Sequence, residues 1–437
     1  MPEFSVSTLA FGKLVLAFGC IMLLLRFKVP LWITIFAGCA AIALLSGLPP
    51  PQWVAAALAT FTQSDFLIME VMIFGIMVLS GLQNATGQSA RLVEGMERCI
   101  KSPRIRLVFF PALIGFLPMP GGALFSCPML EAAAHDLGLS PKRKSLINYW
   151  FRHMWELAWP LYPGYILASS LLGVSLLAIL KYTFPLVIFY FITGWFFLMR
   201  DIRVPARANA HGAENKATSR AALKTIFYES LPITVTLLGA ALFSLILSRV
   251  VPDAPSQLAF VLSVACGIIV ALAQGYKHLS TPLIRIFFNL NLLKLLLLVY
   301  SIFVFKDIIG LTGLVADMSH ISNSTWLIVL LFILLPLACA LLIGIMVGYV
   351  GACFPILLAL IAESGLQEYT VPLVVLALIA GNAGMLLTPL HVCLALTCDF
   401  FKSTYAEIWR KLLALVSTEM AYGIAWSCLL LLFGARF

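Results

Sequence analysis

The chain has 437 residues, of which 62% are hydrophobic and only 11% charged, and its mean hydropathy is +1.03. Soluble domains are about 45–50% apolar and about 25% charged, so this composition excludes a soluble domain and indicates an all-α polytopic membrane protein. The formal charge of +9 does not indicate a nucleic-acid partner. The basic residues fall in short loops between apolar runs, as expected for a protein oriented in a membrane.

The cysteines argue against a disulfide or metal framework, and the first apolar run argues against a signal peptide. The ten cysteines are scattered, mostly within apolar segments and without a CxxC pair. They predict buried hydrophobic side chains, with no disulfide framework, no metal site and no cofactor. The first apolar run ends in Arg26 and Lys28 without a small-residue cleavage site, which favours a retained span over a signal peptide.

The apolar runs form two series separated by a polar linker at 200–224, which predicts one repeat over 1–199 and a second over 225–437. The first series comprises 9–25, 30–48, 66–83, 107–137, 145–180 and 182–199, with a charged segment at 84–106. The second series comprises 226–250, 257–274, 284–305, 324–362, 371–401 and 407–434.

One member of each series predicts a re-entrant hairpin. In the run 107–137, the residues Pro120–Gly122 end one helix and permit a tight reversal, so the segment can enter and leave on the same face. The corresponding hairpin of the second half is predicted at 324–362.

A second member of each series predicts a helix broken within the membrane. The run 145–180 is long enough to cross, but Pro160 and Pro163 interrupt its hydrogen bonds halfway. The run 371–401 is interrupted by Pro389. Irregular backbone at that depth is tolerated only where it is buried in protein or lines a wet cavity.

Local sequence repeats support the division into halves. Gly-Ala-Leu-Phe-Ser-Cys-Pro ends at Pro128, and Gly-Ala-Cys-Phe-Pro ends at Pro355, which is 227 positions later. Pro160 and Pro389 are 229 positions apart. Paired interruptions at matched places are typical of the binding site of a secondary transporter.

The basic loops indicate that the two repeats are inverted, with both termini outside. If each hairpin enters and leaves on one face, every loop rich in Lys and Arg lies in the cytoplasm. The loops concerned contain Arg91–Arg106, Lys142–Lys144, Arg200–Lys224, Lys277–Arg285 and Lys402–Lys411. The loops assigned outside, at 49–65, 251–257 and 363–369, are poor in basic residues.

The order of elements and the segments Phe116–Pro128 and Asn148–Gly164 resemble the ion transporter superfamily of secondary carriers, which includes gluconate permeases and sodium–dicarboxylate and citrate carriers. Within it, the chain looks most like an uncharacterised bacterial integral-membrane family. The resemblance implies three scaffold helices, a re-entrant hairpin, a broken helix and a final helix in each repeat. It also implies a homodimer in the bacterial inner membrane and movement of a transport domain against a scaffold.

The hairpin tips differ from those of the sodium–dicarboxylate members, which carry Ser-Asn-Thr. The tips here read Met-Pro-Gly-Gly and Gly-Tyr-Val-Gly. Glycine lets backbone N–H groups and helix N-termini approach a ligand, and such termini favour anions. The residues predicted to contact substrate at and near the tips are Met119, Pro120, Gly121, Gly122, Ser126, Gly348, Tyr349 and Gly351.

Arg152 leads the predicted binding residues of the first broken helix. Ionisable side chains within spans are costly, and a guanidinium there offers a fork suited to a carboxylate. Alternatively, Arg152 and Glu156 neutralise each other at i and i+4. His153 and Glu156 form a predicted proton-coupling pair, because burial brings both side chains toward neutrality; the alternative for His153 is an interhelical hydrogen bond.

The second broken helix carries an amide and a hydroxyl, on Asn382 and Thr388. These groups could contact substrate hydroxyls or a cation, or they could instead satisfy backbone groups released by Pro389. The remaining predicted binding residues are Trp159, Pro160, Gly384, Pro389 and His391.

These features predict a secondary active transporter of a small organic anion, such as a carboxylate or sugar acid, coupled to H+ rather than Na+ and working by an elevator movement. Its predicted partners are that anion, the lipid bilayer and a second copy of the chain. The alternatives are a sodium-coupled carrier, an exporter of another solute, or a channel. An enzyme is not predicted, because the chain lacks His-Glu-x-x-His, Gly-x-Ser-x-Gly and Gly-x-Gly-Asp motifs.

Overall fold

The described residues fold into helices joined by short connections, with no β-strand among them. The computed structural model describes residues 3–100, 102–116, 122–203, 216–251, 254–255, 257–314, 317 and 324–437. Within them, eight helical stretches are long and apolar enough to cross a membrane. The predicted class, an all-α polytopic membrane protein, is therefore confirmed.

The helices of the first half are α1 (Glu3–Arg26), α2 (Leu31–Leu45), α3 (Pro50–Thr60), α4 (Ser64–Ala85), α5 (Gln88–Cys99), α6 (Pro103–Phe116), α7 (Ala123–Ala134), α8 (Pro141–Arg152), α9 (Pro163–Leu172) and α10 (Leu176–Gly194). Those of the second half are α11 (Lys216–Val250), α12 (Leu258–Gly275), α13 (Leu283–Phe287), α14 (Leu290–Thr312), α15 (Thr325–Ile343), α16 (Met346–Glu363), α17 (Thr370–Leu387), α18 (Val392–Phe401) and α19 (Tyr405–Leu432).

Each predicted hairpin is a pair of packed helices, α6 with α7 and α15 with α16. The second hairpin reverses at Gly344–Ile345, where Gly344 has φ +76°, a left-handed conformation that favours glycine. The prediction that Gly348–Gly351 forms this tip is wrong, because α16 has already begun at Met346.

Close packing accounts for the glycines that suggested the wrong tip. A Cβ on Gly348 would overlap the Ile343 side chain, and one on Gly351 would overlap Ile302. Tyr349, between them, is fully buried, and its ring lies against Gly381. These residues allow α16 to approach its neighbours, as small residues do between membrane helices.

Both broken helices are interrupted as predicted, although not entirely by the residues expected. The first break covers residues 153–162, between α8 and α9, and it begins well before Pro160. Pro163 does not interrupt a helix; it occupies the first turn of α9, where its missing N–H is not needed. The second break is shorter and covers residues 388–391, between α17 and α18.

Helix contacts of one half have counterparts in the other. α1 packs on α2 and α11 on α12, while α6 packs on α8 and α15 on α17. Across the halves, α4 packs on α12 and α2 on α14, and α7 packs on α18 while α16 packs on α9. The second helix of each hairpin therefore contacts the helix that follows the break in the other half of the chain. The inverted orientation of the halves in a membrane stays a prediction.

A surface ion pair joins the beginning of α8 to the segment that follows α10. Arg143 donates to Asp201 at 2.5 Å and to the carbonyl of Leu198 at 2.7 Å. The hydrogen bonds from Arg143 hold the pKa of Asp201 below its ordinary value. Because Asp201 is exposed, the pair adds little to stability, and its main effect is to fix the relative position of the two helix ends.

The inverted topology can be tested with reporter fusions. We expect alkaline phosphatase, which is active only outside the cytoplasm, to be inactive when fused after position 210 and active when fused after Phe437. A reporter that fluoresces only in the cytoplasm should give the reverse pattern. The same result at both positions would contradict the inverted repeat.

Gly115 offers a test of the contact between the first hairpin and the first broken helix. A Cβ there would overlap the backbone carbonyl of Arg152, which cannot move aside as a side chain can. We expect Gly115→Ala to destabilise the protein by about 1–3 kcal/mol, as overpacking does, and to lower its melting temperature. Gly310→Ala is the matched control, because no atom lies within 4 Å of the added Cβ. Equal melting temperatures for the two variants would contradict this contact.

Candidate functional site

A cavity of about 250 Å³ lies where the two breaks, the second hairpin and the helices α4 and α14 meet. We call it the central cavity. Its walls are mostly apolar, with a guanidinium, a carboxyl and an imidazole among them. It is lined by Met77, Arg152, Glu156, Tyr162, Pro163, Gly164, Leu295, Ile345, Met346, Val347, Met385, His391 and Cys393.

Arg152 reaches the central cavity because it is the last residue of α8. It is 4% exposed, and its guanidinium lies against Gly122, where a Cβ would overlap it. Its backbone carbonyl lies against Gly115 at the end of α6. The first hairpin therefore packs against both the backbone and the side chain of Arg152, which fixes the cation beside the first break.

Glu156 also lines the central cavity, but it is not one helical turn from Arg152. Since α8 ends at Arg152, the chain between the two residues is a series of turns, in which the Glu156 N–H donates to the His153 carbonyl at 3.2 Å. The prediction that both residues lie on one helix face is therefore wrong, while their mutual neutralisation stays a prediction. The two opposite charges share one cavity instead.

The two breaks meet through two histidines. His153 caps the end of α8 and His391 precedes the first residue of α18, and their Nε2 atoms are 2.8 Å apart. The Nδ1 of His153 faces the Tyr149 carbonyl at 2.6 Å, and that of His391 faces the Gly344 carbonyl at 2.6 Å. Both nitrogens of His153 are thus engaged away from Glu156. The predicted pair of His153 with Glu156 is replaced by a pair with His391.

Side chains from elsewhere satisfy the backbone carbonyls at the helix ends. Tyr149 donates to the Leu386 carbonyl at 3.1 Å, and Tyr405 donates to the Leu387 carbonyl at 2.5 Å. These are carbonyls that the second break releases, so the irregular backbone is stabilised by hydroxyls of other helices.

The same type of bond ties each break to the hairpin of its own half. Tyr162, at the end of the first break, donates to the Gly115 carbonyl in the first hairpin. His391, at the end of the second break, donates to the Gly344 carbonyl in the second hairpin. Tyr162 and His391 are 229 positions apart, as are Gly115 and Gly344. This offset equals the one that separates the two prolines of the breaks.

Asn382 and Thr388 are placed differently from the prediction. Asn382 donates from Nδ2 to the Glu419 carboxylate in α19 at 2.8 Å, so its amide faces α19 and does not line the central cavity. Thr388 accepts from the Leu390 N–H at 3.2 Å, which satisfies a backbone group beside Pro389. Thr388 thus satisfies a backbone group released by Pro389, as the second alternative predicted. Neither alternative predicted the contact between Asn382 and Glu419.

The other predicted binding residues that the structure describes lie outside the lining of the central cavity. Met119, Pro120 and Gly121 fall outside the described residues. Ser126, Trp159 and Pro160 are buried around the first hairpin and break, with Trp159 packed on Phe116 at 3.5 Å between ring centroids. Gly384 packs against the Leu337 carbonyl, and Pro389 is exposed.

Several residues that line the central cavity were not predicted from the sequence. Tyr162 lies two residues after Pro160, and its alignment with His391 was the available signal. Met77 and Leu295 come from α4 and α14, so no motif in the broken helices indicated them. Cys393 brings a thiol beside the histidines: its Sγ and the two imidazoles supply three potential metal-ligand atoms within 4.8 Å of one another.

The fold and the central cavity define a multi-pass membrane protein with polar groups buried where two interrupted helices meet. The chain belongs to the family described as "Protein of unknown function (DUF401)", whose sequence profile matches residues 10–431. A search of curated proteins found no match.

The bond between Asn382 and Glu419 gives a test of whether Asn382 is structural. We expect Asn382→Ala to lower the melting temperature, at a cost of about 1–3 kcal/mol, because it removes the donor to a buried carboxyl. Glu419→Gln is the matched variant, since its amide oxygen can still accept from Asn382, and it should melt close to the unmodified protein. An Asn382→Ala variant of unchanged stability would contradict this role.

Proposed function

We propose that the protein is a secondary active transporter of a small organic anion that binds in the central cavity. The observation that carries this proposal is the Arg152 guanidinium, buried at the end of an interrupted membrane helix and lining that cavity. A cation placed in an apolar span is costly, and such residues mark substrate pathways in membrane proteins.

The chemistry of the cavity favours a carboxylate. A guanidinium presents a planar fork of donors that matches the two oxygens of a carboxylate. The two hydrogen bonds of such a pair are stronger where water is scarce. A volume of about 250 Å³ lies near the lower end of ligand pockets, about 300–1,000 Å³. The site therefore suits a small metabolite such as a short organic acid or a sugar acid.

The arrangement around the cavity favours a carrier over a channel. Two interrupted helices and a hairpin tip surround the site, as in transporters that expose a central site to each side in turn. The paired bonds of Tyr162 and His391 to their hairpins support two repeats of one structural plan. An elevator movement, a homodimer and coupling to H+ complete the proposal, together with the resemblance to the ion transporter superfamily.

Thermal stability of the purified protein tests the substrate class. Acetate, succinate, citrate and gluconate are added separately, at two pH values and with or without sodium. A ligand at a hundred times its Kd adds about 2.7 kcal/mol to stability, so we expect one acid class to raise the melting temperature. Arg152→Ala and Arg152→Lys should abolish or reduce that increase, because neither retains the bidentate fork.

Arg98→Ala is the matched control, since Arg98 lies on the surface in an ion pair with Glu94. It should keep the full increase. A melting increase that persists in Arg152→Ala would contradict binding at this cavity. An increase with amines or metal cations only would contradict the anion proposal, and single-channel currents in planar bilayers would contradict a carrier mechanism.

A further inference from the structure

The contact between His153 and His391 constrains where their protons lie. The two rings are buried, 1% and 6% exposed, and their Nε2 atoms face each other at 2.8 Å. His153 belongs to the first break and His391 to the second, so this contact joins the two halves of the chain at the central cavity.

The outer nitrogens of the pair must both be protonated. Each Nδ1 lies 2.6 Å from a backbone carbonyl, of Tyr149 for His153 and of Gly344 for His391. A carbonyl oxygen can only accept, so each Nδ1 has to donate. A neutral imidazole has one N–H, and two neutral rings would therefore direct two Nε2 lone pairs at each other.

We infer that His153 and His391 hold one additional proton between their Nε2 atoms, as an imidazole–imidazolium pair. The 2.8 Å separation is a normal length for an N–H···N hydrogen bond. A zinc ion is bound by imidazole at about 2.0–2.1 Å, which in tetrahedral geometry separates two nitrogens by about 3.3 Å. At 2.8 Å the two Nε2 atoms are close enough to share a proton, whereas a zinc ion between them would require the rings to move apart.

This proton has charged and titratable neighbours on α8, on the first break and on α18. Tyr149 and Arg152 lie on α8, Glu156 and Tyr162 on the first break, and Cys393 on α18. Arg152 repels the added positive charge. A substrate carboxylate on Arg152 would offset that repulsion, so the anion and the proton would favour each other's binding.

The pair is therefore the coupling-proton site of the carrier, a role that rests on the proposed function, whereas the shared proton itself does not. By linkage, an anion that strengthens proton binding is itself bound more tightly when the proton is present. Loss of the proton leaves two opposed lone pairs. One ring must then turn, or move its N–H from Nδ1 to Nε2. Either change releases a carbonyl, of Tyr149 in α8 or of Gly344 at the second hairpin.

Solid-state NMR of the full chain in liposomes, labelled with ¹⁵N in histidine, tests the shared proton. The chain has six histidines. We expect one pair of Nε2 signals joined by coupling across an N–H···N bond, with both Nδ1 atoms protonated, and loss of the coupling as the pH is raised. His153→Gln and His391→Gln should each abolish the coupling. His278→Gln is the control, because His278 is exposed, and should retain it.

Two results would overturn the inference. The first is measured on the unmodified chain, so it does not depend on whether the variants fold. The first is the absence of this coupling at every pH at which the protein is folded. The second is a stoichiometric metal ion, found by elemental analysis, with both Nε2 atoms bound to it.

The coupling role has its own readout. The acid with the largest thermal shift should raise the pH at which the coupling disappears, and should fail to do so in Arg152→Ala. No change would overturn the coupling role. Failure of every acid to bind would instead overturn the proposed function, while an observed coupling would still establish the shared proton.

Discussion

The whole arrangement depends on one constraint: backbone groups released inside a membrane must find partners within the protein. The end of α17 frees the carbonyls of Leu386 and Leu387. The hydroxyls of Tyr149 and Tyr405 donate hydrogen bonds to these two carbonyls. Tyr149 comes from α8, in the other half of the chain. One of the two hydroxyls that stabilise the second break is therefore supplied by the first broken helix.

The same constraint explains why each hairpin remains beside its break. The Gly115 carbonyl lies near the end of α6 and the Gly344 carbonyl at the end of α15, and each accepts a hydrogen bond from the last residue of the neighbouring break. The equal spacing of donors and acceptors indicates that both halves follow one plan. Their chemistry has nevertheless diverged: the first half supplies Arg152, Glu156 and His153, whereas the second contributes His391 and Cys393 to the site.

Much of the fold could be predicted from the sequence, because prolines, paired glycines and run lengths are local signals. They correctly indicated an all-helical membrane protein, and the breaks after Arg152 and Leu387 fall within the two runs predicted to be interrupted. The re-entrant hairpins stay a prediction. The second tip was misplaced because Gly348 and Gly351 serve helix packing, and a glycine needed for close approach looks the same in sequence as one needed for a turn. The contacts of Asn382 and His153 were predicted wrongly for another reason. Their partners, Glu419 and His391, are distant in sequence, and only the folded structure brings them together.

The two donors to the hairpins differ in one respect that bears on the direction of transport. Tyr162 donates from a phenol with a single proton to give, whereas His391 can move its proton to the other ring nitrogen and so release Gly344. On the proposed inverted topology, the first hairpin opens to the cytoplasm and the second to the outside. External acidity would then act on the second hairpin only, so the two similar halves of the carrier would respond differently to a proton gradient.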